Sequence, residues 1–196
     1  ITDLSMLGKV PHLFIKACSN ITSLQGLGGI SLEQDQRKIR LVSLAVKDFS
    51  PLHDIDYLAL ENMPNMTDCH GIHSINHLLI KQCEKVVSTR GLHDIRCSFT
   101  LQLCDKLTEL VNVEGIPVLN LLSCAGLIDY SGLKNHLTVT LRQIRDYRDL
   151  KPRLEAPTLG RWKKLKLSQR EKNIETLILE DDTQKQRQIS FLPTES

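Results

Sequence analysis

Six cysteines and seven histidines are the residues of this 196-residue chain with most chemistry to offer. Four of the cysteines end the same phrase, apolar-x-apolar-x-x-Cys: Leu13-x-Ile15-x-x-Cys18, Leu78-x-Ile80-x-x-Cys83, Phe99-x-Leu101-x-x-Cys104 and Leu119-x-Leu121-x-x-Cys124. Thiols can pair as disulfides, hold zinc, or pack as small soft hydrophobes. No CxxC is present, and identical places in successive phrases give no bridging pattern, so buried free thiols are expected here, at Cys69 and at Cys97. No metal site and no cofactor are expected. His53, His73 and His93 recur every 20 residues, in LHDI, IHSI and LHDI, with His70 and His77 beside the middle one. An imidazole ladder could bind metal or sense pH. No acid or cysteine completes a tetrahedral set, and duplication of a solvent-tolerant position accounts for the pattern. GxSxG, HExxH, GxxxxGK[ST] and GxGxxG are all absent, Leu27-Gly28-Gly29-Ile30 reads as a turn, and nothing places Asp181-Asp182 in a pocket. An enzyme is not expected. Asn20-Ile21-Thr22 and Asn65-Met66-Thr67 are glycosylation sequons that turn chemistry explains equally well.

What positions these residues is a repeat. Residues 1–20, ITDLSMLGKVPHLFIKACSN, put apolar side chains at positions 1, 4, 7, 10, 13 and 15 and Cys at 18. Residues 66–85 and 107–126 fit that template without a gap, and residues 46–65 fit with Met63 in the cysteine position. Residues 86–106 need one extra residue, residues 21–45 need a bulge of about six around Glu33-Gln34-Asp35-Gln36, and residues 127–145 fit loosely. Positions 12–16 alternate out and in, which is a short strand. One unit cannot bury its own inward face, so units must stack, with strands about 4.8 Å apart.

These phrases resemble the leucine-rich repeat, L-x-x-L-x-L-x-x-N/C-x-L. The openings Ile1-Thr2-Asp3-Leu4-Ser5-Met6-Leu7 and Lys47-Asp48-Phe49-Ser50-Pro51-Leu52 look like the internalin-type variant, while the cysteine looks like the eukaryotic cysteine-containing variant. The cysteine position is also similar to that of substrate-receptor repeats of F-box proteins, although no F-box segment is visible. The resemblance implies a repeat solenoid, leucine-rich-repeat-like, of about seven coils. It would consist mainly of short parallel β-strands, with an irregular convex side and little helix. Residues 1–145 would form it, residues 146–182 a divergent basic C-terminal cap, and residues 183–196 a flexible tail.

Composition agrees with a globular solenoid. Hydrophobic residues make up 41% and aromatics only 4%, so the core must be aliphatic. The net charge of +2 gives the whole molecule no strong pull toward nucleic acid or membrane. No apolar run reaches membrane length, and the opening Ile1-Thr2-Asp3 reads as a fragment or processed chain without a signal peptide. Free thiols suit a reducing compartment, so a cytoplasmic protein is expected, with the sequons leaving secretion open. The charge is uneven. Residues 142–172 hold eleven basic and four acidic residues, clustered about the single tryptophan. Arg161, Trp162, Lys163, Lys164 and Lys166 are therefore a candidate anion or nucleic-acid site, with a degenerate capping strand as the alternative.

A solenoid's outward strand residues form one extended surface. Here that surface would be His12, Phe14 and Lys16, then Lys38, Arg40 and Val42, then Tyr57, Ala59 and Glu61, then His77, Leu79 and Lys81, then Ser98, Thr100 and Gln102, then Val118, Asn120 and Leu122. Aromatics ringed by Lys and Arg are what interfaces favour. The expected role is a monomeric, non-enzymatic scaffold binding a protein partner through His12, Phe14, Lys16, Arg40, Tyr57, Leu79, Lys81, Asn120 and Leu122. Binding of nucleic acid or another anionic polymer through the basic C-terminal segment is the alternative.

Overall fold

A computed structural model describes residues 4–28, 37–127, 138–142, 164–170, 173–180 and 186–190, the last four stretches as strand backbone alone. The chain is a parallel β-solenoid with almost no helix among the described residues, where a single 3-10 turn spans Ser5–Leu7. In chain order come β1 (His12–Lys16), β2 (Lys38–Val42), β3 (Ile55–Glu61), β4 (His73–Lys81), β5 (His93–Gln102), β6 (Val118–Leu122) and β7 (Thr138–Arg142). Six successive pairings join them in parallel. The register is that of the repeat: Leu13 pairs Ile39, Ile39 pairs Leu58, Leu58 pairs Leu78, Leu78 pairs Phe99, and Phe99 pairs Leu119. The extra residue in residues 86–106 shifts the register between β4 and β5, just after Ile75 pairs with Ile95.

The coil closes because three of its corners are left-handed. Position 17, directly after the strand, has positive φ in every described coil: Ala17, Ser43, Asn62, Gln82, Leu103 and Ser123, all between 49° and 57°. None is glycine, and each corner costs on the order of 1 kcal/mol. The corner aims its amide back along the sheet. Ala17 N–H donates to Val42 O, Asn62 N–H to Lys81 O and Leu103 N–H to Leu122 O, at 2.8 to 2.9 Å. A tight turn follows, in which the position 1 amide donates to the position 18 carbonyl, as in Val86 to Cys83 and Leu107 to Cys104. Position 6 is the second corner, at Gly26, Gly71, Gly91 and Asn112, and position 9 the third, at Asp54, Ser74, Asp94 and Gly115. The convex side is not wholly irregular. Val87 N–H donates to Thr67 O and Thr108 N–H to Val87 O, both at 3.0 Å.

The core is one aliphatic column. Ile39, Leu41, Leu58, Leu60, Ile80, Phe99, Leu101 and Leu119 are fully or almost fully buried. Each such side chain contributes roughly 1.5–3 kcal/mol of burial. Thr89 interrupts the apolar position 4, and its hydroxyl is satisfied on both sides: Oγ1 donates to Val111 O at 2.6 Å and accepts from Val111 N at 2.7 Å.

The cysteine position is a ladder of thiols. Cys83 Sγ donates to Leu60 O at 3.7 Å, Cys104 to Ile80 O at 3.9 Å and Cys124 to Leu101 O at 3.7 Å, each reaching the preceding coil. All six cysteines are free, and Cys69, Cys83, Cys104 and Cys124 are buried as expected. Cys18 and Cys97 correct that expectation: Cys18 is exposed and Cys97 half-buried. Cys18 follows β1, the edge strand of the sheet, and a concavity of about 700 Å³ lined by Leu4, Leu13, Ile15 and Cys18 lies beside it. Cys97 is the extra residue beside the register shift.

Beyond β7 the parallel rule stops. β8 (Lys164–Arg170), β9 (Asn173–Glu180) and β10 (Gln186–Ser190) form an antiparallel set, and β10 joins it to β7 in parallel through Ile189 with Val139 and Ser190 with Thr140. Leu165-x-Leu167 and residues 173–179 are thus strands, and β10 comes from the stretch read as a tail.

Two outcomes follow from the corners and the ladder. Gly91 has φ +84°, and a Cβ there would stand 2.7 Å from His70 Cα; Gly115 has φ +79° and open space. Gly91→Ala is expected to cost about 2–4 kcal/mol in urea unfolding, and Gly115→Ala about 1 kcal/mol. Burial raises the thiol of Cys104 to about 12 and that of Cys124 to about 11, against about 8.5 in an unfolded chain. The folded state therefore holds protons that the unfolded state releases. Stability should be full below about pH 8.5 and fall as pH rises toward those folded values. Urea midpoints from pH 7 to 10 check the sign, and iodoacetamide at pH 8 should label Cys18 and Cys97 before the four buried thiols.

Candidate interaction site

The left-handed corner at position 17 limits each strand to three outward residues, at positions 12, 14 and 16. Parallel register then lines these up as rows. The middle row runs Phe14, Arg40, Ala59, Leu79, Thr100, Asn120. The rows on either side run His12, Lys38, Tyr57, His77, Ser98, Val118 and Lys16, Val42, Glu61, Lys81, Gln102, Leu122. All nine strand-face residues expected from sequence fall on this one surface. Phe14 is 58% exposed and Tyr57 36%; His12, Lys16 and Arg40 are exposed, while Leu79, Lys81, Asn120 and Leu122 are half-buried.

Three outward positions are not free surface, which corrects the simple alternation. Val42, Ala59 and Glu61 are buried. Ala59 lies in register between Arg40 and Leu79, whose longer side chains overtop it. Glu61 is covered because it is paired. Arg40 Nε donates to Glu61 Oε1 at 2.7 Å and Nη2 to Oε2 at 3.0 Å, a two-bond fork across adjacent strands. The same guanidinium lies 5.2 Å from the centroid of Phe14, within cation–π range. The hydrogen bonds that Arg40 donates to Glu61 hold its pKa above the ordinary value. Arg40 is thus fixed from both sides, with Tyr57 one strand over. Farther along, Asn120 Nδ2 donates to Thr100 Oγ1 at 3.1 Å, and His77 Nδ1 stands 2.8 Å from Ser98 Oγ. Sequence reading missed Glu61 as a site residue; its signal is an acid 21 residues after an arginine, a coil period and one step.

The histidine ladder forms as its spacing required. The rings of His53 and His73 stack at 5.3 Å with 6° between planes, and His73 pairs His93 in register. Among the described residues, no group of three His, Cys, Asp or Glu side chains is placed to hold a metal ion. Likewise, no described helix is long and apolar enough to cross a membrane. The sequon residue Asn65 gives its amide to Ala45 O at 2.8 Å, bracing the turn. Of the basic C-terminal candidates, Lys164 and Lys166 lie on the backbone of β8, while Arg161, Trp162 and Lys163 lie outside the described residues.

Compared with known proteins, the chain matches no family model, no curated protein and no solved structure. The face must therefore be interpreted from its own chemistry. It offers an ordered cation and two exposed aromatics on a hydrogen-bonded sheet.

The Arg40–Glu61 fork is half exposed on the arginine side, so its coupling is small. A double-mutant cycle of Arg40→Ala and Glu61→Ala in thermal unfolding should return about 0.5–1 kcal/mol.

Proposed function

We propose that this protein is a non-enzymatic interaction scaffold of the leucine-rich-repeat type, gripping a protein partner on its strand face. The observation that carries the reading is the fixed Arg40, forked to Glu61 and stacked on Phe14, beside the exposed Tyr57. Folding alone does not require two large aromatics on the solvent side of a sheet. Side chains already held in place lose little freedom on binding, and aromatic and arginine side chains dominate interface energies. The repeat assignment draws support from the thiol ladder, since the cysteine occupies the N/C position of the repeat consensus and bonds the neighbouring coil's backbone. Buried free thiols suit a reducing compartment, which supports a cytoplasmic setting for the scaffold.

Affinity capture with three baits tests this: wild type, Phe14→Ala/Tyr57→Ala and Lys163→Glu/Lys164→Glu. The aromatic pair should change the melting free energy by less than about 1 kcal/mol, because both residues are exposed. A protein retained by wild type and by the lysine variant, and lost with the aromatic variant, is the expected result. Material removed by nuclease and lost only with the lysine variant would move the working site to the basic C-terminal segment. Unfolding of the aromatic variant would show that these side chains serve the fold instead.

A further inference from the structure

The charges of the coil are segregated. Residues 4–28 and 37–127 contain ten acids and eleven Lys or Arg. On the outward strand positions the balance is one acid, Glu61, against Lys16, Lys38, Arg40 and Lys81. Glu61 is occupied by Arg40. Lys16, Lys38 and Lys81 form no ion pair among the described residues. Next to Lys38 in the chain, Arg37 is only 2% exposed, and its three guanidinium nitrogens are buried with no hydrogen-bond partner among the described residues. Within β1 to β6 the excess is confined to β1 to β4, and Arg142 on β7 is the next cation in register. Ser98, Thr100, Gln102, Val118, Asn120 and Leu122 carry no charge on β5 and β6. The exposed aromatics share the charged half.

Building on the strand-face reading, we propose that the β1–β4 half of the face binds an extended acidic peptide with an apolar anchor. Its carboxylates meet Lys16, Lys38 and Lys81, and its anchor packs against the exposed rings of Phe14 and Tyr57. Lys16 and Lys81 stand three strands apart, about 14 Å at sheet spacing. That distance is about four residues of extended chain. Arg40 leaves the charge recognition to the lysines, because its own charge is met by Glu61.

Three fluorescein-labelled 12-residue peptides decide it. They share Phe and Leu at fixed places and carry Asp/Glu, Ser/Asn or Lys/Arg elsewhere. Anisotropy is read with the wild-type chain, with Lys38→Glu/Lys81→Glu, and with Phe14→Ala/Tyr57→Ala, and (dT)15 serves as competitor. The acidic peptide should bind about tenfold or more tighter than the neutral one and lose at least about tenfold on charge reversal, while the basic peptide gains. Lys38→Gln/Lys81→Gln gives an intermediate loss and replaces the reversal if that variant fails to fold. A neutral or basic peptide preferred by wild type, and lost with Phe14→Ala/Tyr57→Ala, overturns the acidic partner and leaves the face reading standing. No binding by any peptide, or binding indifferent to both variants, overturns both. If (dT)15 outcompetes the acidic peptide through the same lysines, the ligand is a phosphate polymer and the peptide proposal falls.

Discussion

The left-handed residue after each strand is the constraint on which this structure rests. A chain of L-residues cannot turn inward so sharply without visiting that region. Here it does so at Ala17, Ser43, Asn62, Gln82, Leu103 and Ser123, with ordinary side chains rather than glycine. Each corner is unfavourable alone. It persists because the amide it redirects extends the inter-coil hydrogen-bond ladder by one rung, and because the next residue drops into the core. The corner also fixes the strand at five residues where no second short pairing extends it. Everything the face offers, three outward side chains per rung, follows from that length.

Stacking then substitutes for size in the core. With so few aromatics, the column gains its density from Leu, Ile and Val repeating in identical environments. Repetition makes polar intruders expensive, yet Thr89 is tolerated because its hydroxyl bridges the backbone of the neighbouring coil. The ladder thiols obey the same logic with weaker donors. A thiol is small enough for the crowded corner and can still point its hydrogen at a carbonyl. Neutrality is what makes it tolerable there, and burial enforces that neutrality.

Much of this was legible in the sequence, for a physical reason. Period-20 spacing places like residues in like environments, so the inward set and the register of β1 to β6 could be read by aligning the chain with itself. Even the one-residue insertion at residues 86–106 surfaced where expected, as a register shift. The corners were not legible, because Gln82 and Leu103 carry no preference for positive φ; only Asn62 does. The burial of Val42, Ala59 and Glu61 was missed because alternation predicts direction and ignores what neighbours of unequal length do to one another. Cys18 was misjudged because its burial depends on an adjacent coil rather than on its own phrase. The antiparallel set β8–β10 follows no repeat, so self-comparison had nothing to align. The site was half visible: the aromatics and cations could be named, but the Glu61 fork that orders Arg40 required knowing which strands adjoin.

The direction of the hydrogen bonds has a mechanical side. In this sheet they run along the column axis, from coil to coil, rather than across the chain within one coil. Tension applied along the column therefore pulls on each rung's few bonds along their own direction and on neighbouring rungs in series, the geometry of a zipper rather than of a shear joint. Such a rod yields at the weakest rung and lengthens in coil-sized steps, each releasing roughly 60–70 Å of chain. Across the column the same molecule is stiff, since there the covalent backbone carries the load.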